Sequence, residues 1–343
     1  MRKVLLILGP TASGKTARAL EVASKIGGEI INCDRMQMYN CLKILTAFPS
    51  DSDMQTVPHK LFGVLEYYHE SSAVAWAALA AREIETTLDF ASKPPESGLL
   101  LGDTERRSGV YSGVHEHSST GSTQQETDSG GLVGSLLHKG KVPIIVGGTG
   151  LYVNVLIDGI APLPTVSKNV REQVANMDYN ELCSELYKSD ARLIEVIPRQ
   201  RHHQVIRAYE VFLETGQSVL EFRSLQKKTF LENVQYECEV LSCEREVLYE
   251  RIDRRFEKML EMGAVEEVKR LLEVVEYERQ QRDAIFKKYP VFNVIGAREI
   301  VAYLDGDISL QQMKEAATLN SRHYAKRQIT WFRHQLPKGV GIS

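Results

Sequence analysis

Residues 9–16 read GPTASGKT, and the spacing of Gly9, Gly14, Lys15 and Thr16 is that of a phosphate-binding loop. The glycines let the backbone turn around an anion, and the dipole of the following helix adds to the attraction. Lys15 supplies a cation, and the Thr16 hydroxyl is placed to ligate Mg²⁺. Kinases, NTPases and some transferases share this loop, so it does not identify the reaction. The residues that complete the predicted diphosphate or nucleotide site are Pro10, Thr11, Ala12 and Ser13.

Two further segments place polar residues directly after apolar strand patterns. The first, EIINCD at residues 29–34, ends in Asp34, and the second, KVPIIVGGTGLYV at residues 141–153, passes through Thr149 into a helical pattern. Strands that alternate with helices indicate a parallel sheet, and ligands gather at the carboxyl ends of such strands. The sequence therefore predicts that Asp34, Thr149 and the phosphate loop meet in one crevice.

The whole pattern predicts an α/β protein of the P-loop NTPase type, with a parallel sheet flanked by helices and a helical insertion. Residues 1–161 form the first part of the core, residues 162–233 have helical patterns without strands, and residues 234–343 return to the core. The last segment opens with an alternating strand at 234–242 and continues with one long amphipathic helix over 248–272. We expect the middle segment to be a helical domain that contacts a partner.

The composition predicts a globular protein outside the membrane. Hydrophobic residues make up 43% of the 343 positions, and no apolar run approaches the length of a bilayer span. The N-terminal apolar run leads into the phosphate loop rather than a cleavage site, so we expect no export and a cytoplasmic location. The five cysteines lack C-x-x-C spacing, which favours reduced thiols over a metal site. Residues 97–131 contain 18 Gly, Ser or Thr among 35 positions, which predicts a flexible surface insertion.

The C-terminal segment has a charge balance of its own. The net charge of −3 does not indicate a nucleic-acid binder, but from Ala316 to Ser343 there is no acidic residue. Basic residues and aromatic residues are interleaved in this segment around Trp331. Cations that meet phosphates and rings that stack on bases suit a polyanion with exposed bases. An amphipathic helix with a basic outer face explains the same pattern equally well.

Taken in order, these segments resemble the tRNA dimethylallyltransferases, also called isopentenylpyrophosphate transferases. The succession of the phosphate loop, D-x-x-Q, GGTGLY and KRQITW is very specific. No C-terminal Cys/His finger is present, so we expect the bacterial form. The matching stretches cover most of the chain outside the Ser/Gly-rich insertion and are GPTASGKT, EIINCDRMQMY, SSAVAW, VPIIVGGTGLYV, RAYEVFLETG, RIDRRFEKMLEMGAVEEV, GAREIVAYLDGDIS and AKRQITWFR.

The resemblance implies transfer of a dimethylallyl group from its diphosphate to N6 of the adenosine 3′-adjacent to the anticodon, in tRNAs that read codons beginning with U. Lys15, the loop amides, Arg255 and Mg²⁺ at Thr16 would bind the departing diphosphate more tightly in the transition state. Asp34 would accept the proton that N6 loses, and Thr149 would hydrogen-bond the nucleotide or the Asp34 side of the site. We expect a monomer whose partners are the tRNA anticodon arm and dimethylallyl diphosphate.

The resemblance also implies tRNA contacts, because the family flips the reacting base into a channel through the protein. Three positions depart from the family pattern: Arg35 stands where serine is usual, Phe48 where lysine is usual, and Gln204 where a second arginine is frequent. The positions that match family tRNA contacts are Asp34, Arg35, Met36, Gln37, Thr149, Arg171, His203, Gln204, Arg207, Asn293, Gly296, Arg298, Lys326, Arg327, Gln328, Thr330, Trp331 and Arg333.

Other interpretations fit parts of the sequence. Asp34 could instead cap a helix or hold Mg²⁺ through water, and Thr149 could cap the helix that begins at Gly150. A small-molecule kinase or an adenylate isopentenyltransferase would use the same phosphate loop, but neither explains the basic aromatic tail. A tRNA-binding protein that has lost catalysis would explain Arg35 but not the intact Asp34 and Lys15.

Overall fold

The computed structural model describes residues 2–90, 141–337 and 341–342. In these ranges six parallel strands form one sheet, in the order β3–β2–β4–β1–β5–β6. The insertion expected at residues 97–131 lies outside the described residues, so its flexibility stays a prediction. The strands are β1 (Arg2–Leu8), β2 (Glu29–Cys33), β3 (His59–Lys60), β4 (Pro143–Gly147), β5 (Val234–Val240) and β6 (Gly341–Ile342).

Helices make up most of the remaining described structure. Short 3-10 helices lie at Met36–Met38, Arg279–Gln281 and Pro290–Asn293. The α-helices are α1 (Lys15–Ile26), α2 (Asp51–Thr56), α3 (Ala73–Phe90), α4 (Gly150–Asp158), α5 (Lys168–Ala175), α6 (Tyr179–Ser189), α7 (Leu193–Val196), α8 (His202–Thr215), α9 (Val219–Ser224), α10 (Arg245–Glu261), α11 (Ala264–Val274), α12 (Arg282–Lys288), α13 (Ala297–Leu304) and α14 (Leu310–His334).

Helices cover both faces of the sheet, because side chains alternate between the faces along each strand. Leu5 and Ile7 of β1 pack with Val22 of α1 on one face. Leu6 of the same strand packs with Trp76 of α3 and with α4 on the other face. A strand buried on both faces reads as a continuous apolar run, as VLLIL does. The parallel sheet flanked by helices that the sequence predicted is therefore confirmed.

The strand register aligns the carboxyl-terminal ends of β1, β4 and β2. Leu8 of β1 pairs with Gly147 of β4, and Gly147 pairs in turn with Cys33 of β2. The residues that follow these three positions leave the sheet at the same edge. The crevice that the sequence predicted from three separate segments is confirmed by this register.

The later part of the chain follows the predicted helical pattern with one exception. Helices α5 to α9 share an apolar core that includes Leu182, Leu186 and Val205, although the domain boundaries themselves stay a prediction. The single long helix predicted over 248–272 is wrong, since α10 ends at Glu261 and α11 begins at Ala264. Gly263 between them has φ +96°, a left-handed conformation that interrupts a right-handed helix.

Helix α14 joins two separate hydrophobic cores. Phe332 near its end packs into the core on the sheet face covered by α3 and α4. Met313 and Ala317 near its start pack into a second core made by α10, α11 and α13. The Ser309 hydroxyl accepts a hydrogen bond from Gln312 N, which caps the first turn of α14. The helix is thereby fixed along its whole length.

Gly147 offers a test of the strand register, because a Cβ at this position would lie 2.1 Å from the Cys33 carbonyl oxygen. We expect Gly147→Ala to lower the free energy of unfolding by roughly 3 kcal/mol, measured by urea denaturation. Gly216→Ala is the control, since a Cβ there meets nothing within 4 Å and only the φ of +71° is unfavourable. Its cost should stay near ~1 kcal/mol. Equal losses in both variants would contradict the steric explanation.

Candidate active site

The phosphate loop joins the end of β1 to α1 and packs beneath α14. The Thr11 N–H donates a hydrogen bond of 2.8 Å to Gln328 Oε1 on that helix. Gly14 has φ +93° immediately before Lys15, the first residue of α1. The Ser13 hydroxyl is buried, and its oxygen has no hydrogen-bond partner within the described residues. A buried donor without a partner beside a helix N-terminus suits an anion.

Two cations converge on this loop. The Lys15 ammonium donates to the Pro10 carbonyl oxygen at 3.3 Å, and an Arg255 guanidinium nitrogen donates to Thr11 Oγ1 at 2.6 Å. Desolvation lowers the pKa of Lys15 to about 8; the Asp34 carboxylate opposes this shift and the nearby Arg255 cation adds to it. Desolvation also lowers the pKa of Arg255. The site therefore concentrates positive charge where water screens it poorly.

Asp34 follows β2 and is held by its neighbours in sequence. Its backbone N–H donates to Asn32 Oδ1 at 2.7 Å, and the Asn32 amide donates back to the Asp34 carbonyl at 2.9 Å. One carboxylate oxygen accepts from Met36 N at 2.9 Å, so it caps the 3-10 helix that starts there. The other carboxylate oxygen has no hydrogen bond to the described residues. One oxygen of Asp34 can therefore cap this helix while the other remains available to accept a proton.

Thr149 precedes α4 and faces the same crevice. Its N–H donates to the Cys33 carbonyl at 3.2 Å. Its hydroxyl accepts from Arg35 N at 3.3 Å and makes no capping bond to α4. Thr149 and Tyr324 of α14 line the same cavity. The alternative of a helix-capping side chain is therefore wrong, and the hydroxyl is turned to the Asp34 side of the site, as expected from the resemblance.

A cavity of about 310 Å³ brings these groups together. Thr11, Asp34, Thr149 and Arg255 contribute its polar wall. Its apolar wall was missed by the sequence analysis, although the apolar spacing along α10 beside Arg255 was a usable signal. The lining residues that complete the cavity are Arg35, Met36, Leu45, Thr46, Ile252, Phe256, Met259, Asn293, Val294, Ile295, Ser321, Tyr324 and Arg327.

The D-x-x-Q segment uses its side chains within the protein. The Arg35 Nε donates to Ser71 Oγ at 2.7 Å. The Gln37 amide donates to the Thr46 carbonyl at 3.0 Å and to the Ala47 carbonyl at 2.9 Å, which ties down the adjacent loop. Phe48, where the family usually has lysine, packs edge-on against another aromatic ring, Phe62. The tRNA contacts expected for Arg35, Met36 and Gln37 stay predictions.

A second depression, which we call the α8–α14 groove, runs between those two helices. It brings Gln204 of α8 next to the C-terminal turns of α14. The lining is cationic and carries an indole ring, with no acidic residue among the described residues that form it. Arg327 lines both this groove and the 310 Å³ cavity. The residues of the groove are Arg201, Gln204, Lys326, Arg327, Thr330, Trp331, His334 and Gln335.

Other expected tRNA-binding residues lie outside the groove lining. Arg171 approaches Glu70 at 3.8 Å, and Arg207 donates to the Pro164 carbonyl at 2.9 Å. His203 is exposed on α8, one turn before Arg207. Arg333 lines a different cavity of about 660 Å³, beside Pro10 of the phosphate loop. Their tRNA contacts stay predictions.

The segment around Asn293 forms one corner of the 310 Å³ cavity. Arg298 donates to Asn293 Oδ1 at 2.8 Å and to the Phe292 carbonyl at 3.1 Å. Gly296 is the N-cap residue of α13 and donates its N–H to Glu299 Oε2 at 3.0 Å. These bonds fix a rigid corner, and its expected contact with tRNA stays a prediction.

The donor set at the loop fits Mg²⁺, which takes oxygen ligands and keeps several waters or phosphate oxygens. Thr16 is exposed at the start of α1 and offers one hydroxyl oxygen. Among the described residues no cluster of three or more His, Cys, Asp or Glu could hold a metal. Thr16 would therefore hold the ion together with substrate phosphate, as P-loop proteins do.

The composition also led us to expect no membrane-spanning segment and reduced cysteines. None of the helices in the described ranges is both long enough and apolar enough to cross a bilayer. None of the five cysteines, all of which lie in the described ranges, forms a disulfide.

The parallel sheet with a phosphate loop at the end of a central strand defines a P-loop class of protein. Comparison of the sequence with family models gives a match to "IPP transferase" over residues 37–95 and 116–335. A second model, "Isopentenyl transferase", matches residues 2–62. The chain therefore belongs to the IPP transferase family, as the resemblance predicted.

Curated and solved relatives agree with this assignment. A tRNA dimethylallyltransferase of Zymomonas mobilis is 36% identical over 97% of this chain and 88% of its own length. One from Rickettsia felis is 31% identical over 98% of this chain and 91% of its own length. The crystal structure of a tRNA isopentenylpyrophosphate transferase from Bacillus halodurans is similar with a TM-score of 0.55 and 26% identity, covering all of this chain and 90% of that one.

A eukaryotic dimethylallyltransferase acting on tRNA shares the fold, with a TM-score of 0.70 at 21% identity, over all of this chain and 73% of that one. These comparisons confirm the fold class and the family expected from the sequence. They do not favour the kinase or the adenylate transferase.

Lys15 allows a test of the electrostatics. Its pKa near 8 lies below the ordinary 10.5, so the unfolded chain binds more protons between these values and the stability of the protein rises with pH there. We expect Lys15→Met to raise the melting temperature of the ligand-free protein by ~2–4 °C at about pH 7. The gain should shrink at about pH 9.5, where Lys15 of the original protein is already neutral.

Lys25→Met is the matched control, because Lys25 lies on the same helix but is exposed and paired with Glu21. This control should change the melting temperature little at either pH. A lower melting temperature for Lys15→Met would show that the cation stabilises the ligand-free fold.

Proposed function

We propose that this chain transfers a dimethylallyl group from dimethylallyl diphosphate to N6 of the adenosine 3′-adjacent to the anticodon of tRNA. The products are N6-isopentenyladenosine and diphosphate. One observation carries the proposal: a single 310 Å³ cavity holds a carboxylate, Asp34, opposite the phosphate-loop residue Thr11 and the Arg255 cation. The relatives named tRNA dimethylallyltransferase support it.

The polar end of the cavity suits the leaving group. Negative charge grows on the diphosphate as the bond from its oxygen to the allylic carbon breaks. Lys15 and Arg255, which both contact the phosphate loop, would bind the departing anion more tightly than the substrate. Mg²⁺ at Thr16 would add charge neutralisation when bound. The chain thus stabilises the charge that develops in the transition state.

The apolar end of the cavity suits the alkyl group. Leu45, Ile252, Phe256 and Met259 line it and would surround the five-carbon unit. Apolar burial of this kind excludes water from the allylic carbon, which otherwise competes with the amine as nucleophile. In this proposal the cavity would accommodate both ends of dimethylallyl diphosphate.

Asp34 provides the base. The N6 lone pair of adenosine forms the new C–N bond while the electron pair of the C–O bond leaves with diphosphate. The proton that N6 then loses passes to the carboxylate oxygen of Asp34 that has no hydrogen bond in the described residues. Because the other oxygen is fixed by Met36 N, the accepting oxygen has a defined direction.

The α8–α14 groove offers a path for RNA. Its cations can neutralise backbone phosphates, and Trp331 can stack on a base. Arg327 lines both the groove and the cavity, so the two are adjacent, and a nucleotide flipped out of an RNA in the groove would have a short path to Asp34. The restriction to tRNAs that read codons beginning with U, the monomeric state and the cytoplasmic location are parts of the same proposal.

Asp34→Asn tests the proposed base. An Asn side chain still accepts from Met36 N but does not take up the proton, so turnover should fall by about 10²- to 10⁴-fold while tRNA still binds. Mass spectrometry of nucleosides from tRNA incubated with dimethylallyl diphosphate measures the product. Asp51→Asn, an exposed residue in the first turn of α2, is the control and should keep full turnover. Near-normal turnover of Asp34→Asn would remove Asp34 from the mechanism.

The basic side of α14 tests the RNA path. We expect replacement of Lys326, Arg327 and Arg333 together by Ala to weaken tRNA binding and to lower its salt slope by about one unit per lost phosphate contact. Affinity for dimethylallyl diphosphate should change far less than affinity for tRNA. Binding isotherms at several salt concentrations measure both quantities.

The matched control removes three exposed cations elsewhere, Lys25, Lys269 and Arg270, and should leave the slope unchanged. An unchanged slope in the α14 variant would mean that these cations are only a solvated helix face.

A further inference from the structure

Helix α14 contacts the catalytic loops along one line of residues. Tyr324, Gln328 and Trp331 are four and three residues apart, so they share a helix face. Tyr324 and Thr149 line the same cavity. The Trp331 ring occupies the space next to Gly150, where a Cβ would come within 2.2 Å of it. The helix that carries the expected RNA-binding cations is thus also the wall behind the active site.

Gln328 is the central contact of this face. Its side chain is only 4% exposed. Its Oε1 accepts from Thr11 N at 2.8 Å, and its Nε2 donates to the Gly148 carbonyl at 2.9 Å. Gly148 leaves room for this contact, because a Cβ there would lie 2.1 Å from the Gln328 amide nitrogen. One side chain therefore joins the phosphate loop to the loop after β4.

Each of the two loops that the Gln328 side chain joins is in contact with groups of the proposed reaction. On one side Thr11, whose backbone is held by Gln328, accepts from Arg255 through its hydroxyl at 2.6 Å. On the other side Gly148 precedes Thr149, whose hydroxyl accepts from Arg35 N beside Asp34. The Gln328 residue is nearly buried, and both hydrogen bonds of its amide go to protein backbone, so little of it is accessible to a base or a phosphate.

We propose that Gln328 is a positioning residue, which sets the distance between the diphosphate-binding loop and the loop that carries Thr149, and that it does not contact RNA. This inference rests on the proposed function for the identity of the substrates. It revises the expectation that Gln328 binds tRNA. Loss of the bridge lets the two loops separate, so diphosphate binding and turnover suffer while RNA binding does not.

Gln328→Met tests this assignment, because Met has a similar length and lacks both polar atoms. We expect the Kd for inorganic diphosphate to rise about 10-fold, as for the loss of one to two hydrogen bonds. The Kd for an anticodon stem-loop RNA should stay within about twofold. In turnover assays the KM for dimethylallyl diphosphate should rise and kcat should fall, while the KM for tRNA stays unchanged.

Gln311→Met is the matched control, since Gln311 lies on the same helix and its amide bonds only to Glu315 on the surface. It should leave both Kd values, both KM values and kcat unchanged. Gln328→Asn keeps an amide in the same space but is too short to reach both loops. It should therefore also weaken diphosphate binding and leave RNA binding unchanged. It also provides the measurement if Gln328→Met does not fold.

The outcomes are distinct. Weaker RNA binding with unchanged diphosphate binding would overturn the proposal and return Gln328 to the RNA interface. Unchanged binding of both diphosphate and RNA would also overturn the proposal, because it would show that other contacts hold the two loops in place. Diphosphate binding is measured without any transfer, so failure of the proposed reaction would leave this result interpretable.

Discussion

Two cations face one crevice, and neither Lys15 nor Arg255 is ion-paired with a carboxylate among the described residues. Desolvation disfavours the charged form of both groups and is the main reason that the pKa of Lys15 falls to about 8, with a smaller contribution from the nearby Arg255 cation. Asp34 offsets part of this cost from a distance. The site is therefore built for an anion that supplies the missing negative charge, and it holds its cations at a cost in stability.

The rest of the fold provides the rigidity that such a site needs. The phosphate loop, the turn after β2 and the turn after β4 depart from one line of paired residues, so their relative positions follow from backbone hydrogen bonds. Helix α14 adds a second constraint, because it is buried at Phe332 in the sheet core and at Met313 in the helical core. Repulsion between the two cations cannot spread the loops while both constraints hold.

The sequence predicted those parts of the site that depend on local patterns. Strands ending at Leu8, Cys33 and Gly147 could be read from apolar runs and glycines, and a parallel sheet then places their ends together. The break at Gly263 was missed, because the apolar spacing continues on both sides of it and hides the backbone conformation. The loop–helix contact of Gln328 was also missed. Residues 11 and 328 are far apart in sequence, and no periodicity reports which polar side chain faces inward.

The departures from the family pattern at positions 35 and 48 can be explained by contacts within the protein. At position 35 the backbone N–H makes the bond to Thr149, and any residue supplies that donor. The unusual guanidinium is taken up by Ser71. At position 48 the usual lysine is replaced by phenylalanine, yet the ammonium of Lys43 lies 5.1 Å from the centre of that ring and keeps a cation in the same region. In the proposed reaction the roles of Lys15, Asp34 and Arg255 belong to their side chains, whereas at positions 35 and 48 the backbone or a neighbouring cation can take the place of the usual residue.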